Sequence, residues 1–202
     1  MLHDLASLTA DEIRLAFHQA SDTFVTTVSR ITEWEAPGLG EWTVRELAAH
    51  TLRAYTTIEV ALHSAPMVHV DVPDATTYFR TALADPAVHA GVAQRGRDGG
   101  AELLDPHRAA QTTAARVLAV VDSTEPAAPC ETFVGHMPFA QYLAGRVVEL
   151  TIHTTDLQVA TGQPLAIGDL AARVTLAVVA PLADEAQLIR GITGRTSLHV
   201  LG

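Results

Sequence analysis

Apolar residues recur every three or four positions through most of this chain, and the runs are bounded by helix-capping chemistry. Thr9-Ala10-Asp11-Glu12 reads as a capping box, in which the Thr9 hydroxyl accepts an N–H of the first turn and Glu12 reaches back to the Thr9 backbone. Ile13, Phe17, Phe24, Val25 and Val28 follow at helical spacing and predict a first helix ending near Arg30. Trp34 to Gly40, with Pro37 and Gly38, reads as a loop. Thr43-Val44-Arg45-Glu46 then repeats the capping box and opens a second helix through His50, Tyr55 and Leu62.

Pro66 and Pro73 bound an irregular stretch, after which Ala75 to Gln94 reads as helix with a break at Asp85-Pro86. Asp105-Pro106 places an N-cap residue before a proline at the first helical position, and an alanine-rich helix continues from Ala109 to Val121. Pro126, Pro129, Gly135 and Pro138 mark Ser123 to Pro138 as a long connection, placed to wrap a site. Phe139 to Thr161 is helical again, with Gly162 as its C-terminal cap. Asp169 to Ile189 predicts one more helix, interrupted near Pro181, and the tail Thr196 to Leu201 alternates as a short strand.

Long helices with few strand signals predict an all-α fold, an antiparallel four-helix bundle whose ligand sites are built by inward-facing side chains from different helices. A chain of 202 residues suits one main domain. The expected division is a bundle over 1–165 and a short C-terminal extension over 166–202.

Composition narrows the function classes. A formal net charge of −10 and the absence of a basic stripe argue against a nucleic-acid partner, which requires clustered Lys or Arg. All 13 positive side chains are arginine, so lysine Schiff-base chemistry is excluded. No apolar run approaches the roughly 18 residues that span a bilayer, and the start Met1-Leu2-His3-Asp4-Leu5 lacks a secretory signal's basic end and apolar run. A cytoplasmic protein without a membrane partner is expected. The single cysteine, Cys130, cannot form an internal disulfide, which agrees with a reducing compartment. It is either an inert thiol or a nucleophile needing a nearby base.

The candidate chemistry centres on Glu149-Leu150-Thr151-Ile152-His153. Side chains four apart on a helix lie on one face about 6 Å apart along the axis, so Glu149 and His153 can converge on one cation. His50, on a neighbouring helix, can supply a third ligand. A carboxylate and two imidazoles with an open position make a catalytic metal set rather than a closed structural one. The competing readings are an ordinary i,i+4 hydrogen-bonded pair for Glu149 and His153, and a satisfied core histidine for His50.

Asp156, three residues after His153, either fixes the tautomer of that imidazole or is a helix-surface acid. Arg146, three before Glu149, pairs with that carboxylate, binds an anionic substrate, or forms a plain surface salt bridge. His63 and His69 flank Pro66, and His136 lies in the long connection, as a surface residue or as an outer ligand and proton carrier. Trp42 is expected to pack as a hydrophobic staple at the start of the second helix, and Tyr55 to face away from His50.

Gly40-Glu41-Trp42-Thr43-Val44-Arg45-Glu46-Leu47-Ala48-Ala49-His50 and Gly145-Arg146-Val147-Val148-Glu149-Leu150-Thr151-Ile152-His153-Thr154-Thr155-Asp156-Leu157 carry a family resemblance. The chain resembles the DinB-like four-helix bundles, specifically their mycothiol-dependent maleylpyruvate isomerase N-terminal-like branch, roughly over residues 5 to 165. The resemblance implies that His50, Glu149 and His153 ligate a divalent metal: zinc first, with Ni, Mn or Fe accepted by the same set. It also implies that a small thiol such as mycothiol, ionised at that metal, attacks a small electrophilic substrate. Thr155 stands where the family commonly has a tryptophan, which alters the pocket wall. Isomerase-type members continue into a mixed α/β C-terminal domain, so the expected activity is a related S-transfer or isomerisation. The competing functions are a metal-dependent hydrolase using activated water and a non-catalytic metal-binding interaction protein. The apolar bundle faces also suit a homodimer.

Overall fold

The computed structural model of the chain describes residues 7–63, 69–84 and 86–197. Eight α-helices form among the described residues, and the capping signals open them where the sequence places them. α1 (Ala10–Val28) and α2 (Val44–Leu62) each begin with a complete capping box, at Thr9 with Glu12 and at Thr43 with Glu46. α3 (Ala75–Leu83) is capped by Asp74, α4 spans Pro86–Glu102, and α5 (Pro106–Ser123) is capped by Asp105 with Pro106 in its first turn. α6 (Phe139–Ala160) is the longest, and Gly162 closes it at φ +66°, a conformation that glycine adopts without steric cost. α7 (Asp169–Val179) passes through a 3₁₀ turn at Ala180–Leu182, around Pro181, into α8 (Glu185–Ile192).

α6 and α5 each pack on both α1 and α2, so the four form a bundle with α1 and α2 at opposite corners. Side-chain bonds fix their directions. Arg14, near the start of α1, donates from Nε to the Val121 carbonyl at the end of α5 over 3.2 Å, so these two helices are antiparallel. Arg116 of α5 pairs with Glu59 of α2 with both late in their helices, and Gln158 of α6 bonds Thr27 of α1 at 3.0 Å in the same sense. The order is therefore up, down, down, up, with α2 antiparallel to α6. α4 runs back along the outside of α2 and allows α5 to start at the far end.

The core is aromatic at its centre. Tyr55 is fully buried, with its ring 5.5 Å from Phe17 and 5.9 Å from Phe24 across the bundle, so it faces away from His50 as expected. Leu47, Ile58, Val117, Leu143, Leu150 and Leu157 fill the layers around it. α7 adds Ala171, Val174, Ala177 and Val178 to the same core.

Two segments differ from their sequence reading. α4 runs on to Glu102 rather than stopping near Gln94. Its Gly96, Gly99 and Gly100 disfavour an isolated helix but permit a close approach to α2: a Cβ at Gly96 would meet the Trp42 ring at 2.6 Å, and one at Gly100 would meet Glu46 Cγ at 2.6 Å. The long connection contains a hairpin, β1 (Pro129–Thr132) against β2 (Gly135–Pro138), with Cys130 opposite Met137 and both buried. Its prolines sit at the ends of the strands, where a missing donor is tolerated. The tail strand read over Thr196 to Leu201 lies mostly outside the described residues. Among the described residues, no helix is long and apolar enough to cross a membrane.

Candidate metal centre

α2 and α6 bring their site residues together because they pack antiparallel: His50 lies in the first half of α2, Glu149 at the middle of α6 and His153 one turn beyond it. One ligand atom from each of the three lies within 4.8 Å of the other two. His153 Nε2 stands 3.3 Å from Glu149 Oε2, and His50 Nε2 stands 4.0 Å from the same oxygen. The two imidazole rings meet edge to face, with centroids 4.7 Å apart.

One spacing in the donor set matches that of a bound cation, while His50 stands wider, at 4.0 Å. Tetrahedral ligands about 2.0 Å from zinc lie roughly 3.3 Å apart, and the Glu149–His153 pair stands at 3.3 Å. His50 supplies a second observation. Its Nδ1 is buried with no hydrogen-bond partner, and its Nε2 is too far from Glu149 for a hydrogen bond. An imidazole placed this way is poorly satisfied by protein alone, and a buried polar atom without a partner is costly. The group is thus one that can hold a divalent cation through two imidazoles and a carboxylate.

The electrostatics follow from burial and from these contacts. Burial lowers the His50 pKa to about 4, with the charge of His153 adding to the effect, so its imidazole is neutral at pH 7. For Glu149, burial acts upward, but the hydrogen bond and charge of His153, with Arg146 and His50, prevail and hold it at about 2. Burial likewise opposes charge on His153, yet hydrogen bonds to Asp156 and Glu149 raise it to about 9.

Asp156 is not a free surface acid: its Oδ2 lies 3.1 Å from His153 Nδ1. A hydrogen bond from Nδ1–H to that carboxylate turns Nε2 toward Glu149, to which it donates in the metal-free protein; loss of the Nε2 proton frees its lone pair for a cation. Arg146 does not form a surface salt bridge. It is only 8% exposed, its guanidinium carbon lies 4.9 Å from the Tyr142 ring and 5.7 Å from the Tyr78 ring, and its Nη1 donates to Thr57 Oγ1 over 3.4 Å.

Trp42 does more than staple the start of α2, since its ring lies 4.8 Å from that of His50 and is wedged against Gly96 of α4. The sequence offers a sign of this contact only in hindsight, in the glycines that let α4 come so close. His136 is placed elsewhere, its Nδ1 3.1 Å from Asp71 Oδ2 and its ring 6.5 Å from that of His69. Cys130 is fully buried, and burial pushes its thiol up to about 12, the reverse of an activated nucleophile.

A model of the mycothiol maleylpyruvate isomerase N-terminal domain family matches residues 15–158. The chain belongs to this family. Its fold agrees: the chain is similar to the crystal structure of a mycothiol-dependent maleylpyruvate isomerase with a TM-score of 0.61 and 16% identity, covering 89% of this chain and 72% of that one. A histidine-to-alanine mutant of such an isomerase matches over the same shares at a TM-score of 0.58, also with 16% identity. At that identity the likeness shows the family's DinB-like helical fold. No curated protein matches the sequence. The matched span contains His50, Glu149, His153 and Asp156, so the whole cluster lies inside the family's domain.

Proposed function

We propose that this chain is a metal- and thiol-dependent transferase or isomerase. In this reading His50, Glu149 and His153 hold a divalent cation, zinc first and Ni, Mn or Fe by the same ligand chemistry, and the site takes a small thiol such as mycothiol and a small electrophilic substrate. The observation that carries it is the convergence of three donor atoms from two helices within 4.8 Å, on the domain of a family named for a mycothiol-dependent isomerase. A cation held by two neutral imidazoles and one carboxylate keeps a net positive charge, which favours the thiolate form of a bound thiol.

The chain's own residues prepare the site. Asp156 accepts a hydrogen bond from the Nδ1–H of His153 and so orients the ring and fixes its tautomer. Burial keeps His50 unprotonated, and Trp42 braces its ring from the side of α4. Arg146 lies one turn before Glu149, a fixed positive charge beside the cluster.

The test is turnover of small electrophiles, maleylpyruvate among them, by metal-loaded protein with and without added mycothiol. Turnover that requires the thiol and vanishes in His153→Ala is the expected result. Turnover that proceeds equally without thiol would replace this reading with hydrolysis by activated water.

A further inference from the structure

The side of the cluster formed by α2, α4 and the start of α6 carries three arginines, and none of them is in an ion pair within 4.0 Å among the described residues. Arg53 lies one turn after His50 on α2 and is half-buried. Arg146 reaches α2 from α6 through Thr57, one turn beyond Arg53. Arg95 comes from α4: Gly100 of that helix faces Glu46 and Gly99 faces Ala49, so one turn back Arg95 draws level with Arg53. Gly91 leaves open the space that the Arg95 guanidinium occupies, since a Cβ there would come within 2.7 Å of its Nη1.

Among the described residues, none of the three makes an ion pair within 4.0 Å; most other arginines of the chain also lack one, but these three stand together beside one site. Arg53 and Arg95 donate no side-chain hydrogen bond there, and the Arg146 Nε is buried without a partner. The charges of Arg95 and Arg146 both act on Arg53, and Arg53 and Arg95 both act on His50. Arg95 is exposed, but Arg53 is half-buried and Arg146 is buried, and like charges held close where water is partly excluded oppose folding. In a chain of net charge −10 acids are plentiful, yet although Glu149 acts on Arg146, among the described residues no acid stands within 4.0 Å of Arg53 or Arg95.

We propose that Arg53, Arg95 and Arg146 form an anion-binding wall beside His50, Glu149 and His153, which takes an oxyanionic group, carboxylate or phosphate, of a small ligand. Planar guanidinium groups suit both, because their paired N–H donors match two oxygens of either ion. The wall fixes one end of the ligand by its charge and leaves its other end toward the His50 side. Identifying that ligand with the reacting electrophile rests on the proposed function. The binding itself does not.

The experiment is calorimetric titration of maleate and, separately, inorganic phosphate into metal-free full-length protein at constant ionic strength. Wild type is compared with Arg53→Gln, Arg95→Gln and the control Arg97→Gln, an exposed arginine of the same helix that bonds Gln94. The expected result is one-site binding of at least one anion, weakened on the order of tenfold in Arg53→Gln and Arg95→Gln, as for loss of one charge-assisted hydrogen bond, and unchanged in Arg97→Gln. The tighter anion identifies the group as carboxylate or phosphate. No binding of either anion, or an equal loss in Arg97→Gln, would overturn the proposal. Because metal is absent from the titration, its failure leaves the metal reading standing, and a protein that takes up no metal can still bind the anion.

Discussion

Asp156 Oδ2 lies 3.1 Å from His153 Nδ1, one turn along the same helix, and this contact decides which nitrogen of His153 faces the cluster. Removing the carboxylate leaves His50, Glu149 and His153 in place but frees the ring to rotate and exchange tautomers. Asp156→Ala is therefore expected to weaken zinc binding by roughly 10- to 100-fold, the range found for partners of metal-bound histidines, with little change in helicity. Competition against a chromophoric chelator measures it. An unchanged affinity would show that the contact positions nothing.

Gly96 is predicted to resist the substitution that usually strengthens a helix. Gly to Ala in a helix interior gains about 1 kcal/mol from backbone entropy. A Cβ at Gly96, however, would meet the Trp42 ring at 2.6 Å, and overpacking costs about 1–3 kcal/mol. Gly96→Ala should then lower the urea midpoint and alter the fluorescence of Trp42. A raised midpoint would mean that α4 does not press on that ring.

Stability of the metal-free protein should peak near pH 6.5. The folded value of His50, about 4, lies below its ordinary 6.5, so the unfolded chain binds more protons between the two and stability is lost as pH falls through that window. The folded value of His153, about 9, lies above 6.5, so its contribution is complete below pH 6.5 and is lost as pH rises toward 9. Glu149, held at about 2 against an ordinary 4.5, adds a further loss as pH falls below 4.5. Urea unfolding at pH 5, 6.5 and 9 in the presence of chelator checks the sign on each side. A flat profile would show that these groups titrate alike in both states.

Cys130 should ignore thiol reagents. It is fully buried between the hairpin and the bundle, and its thiol is pushed up to about 12, so almost no thiolate exists at pH 8. A disulfide reagent is expected to label it only after urea is added. Rapid labelling of folded protein would reopen its reading as a nucleophile.

The parts of the fold that were legible in the sequence are those set by local chemistry. Thr9, Thr43 and Asp105 announce their helices through side-chain caps, and the Glu149–His153 pair is visible because helical spacing alone puts both on one face. What distant segments decide was not legible. The glycines of α4 argue against helix until α2 is there to receive them, and Pro129 and Pro138 suggest irregular chain until their strands pair. The same holds around the site. Arg146 reads as a surface ion pair from its spacing to Glu149, and only the rings of Tyr78 and Tyr142 show it to be buried. Arg53 and Trp42 gain their meaning from α4, which no local pattern places beside them.

The central claim is that two helices build one metal site, and the most direct test is the metal content of freshly purified, tag-free protein by elemental mass spectrometry, beside that of His153→Ala. The account predicts about one equivalent of a transition metal per wild-type chain and its loss in the variant. Less than about a tenth of an equivalent in wild type, after incubation with zinc or nickel and desalting, would contradict it.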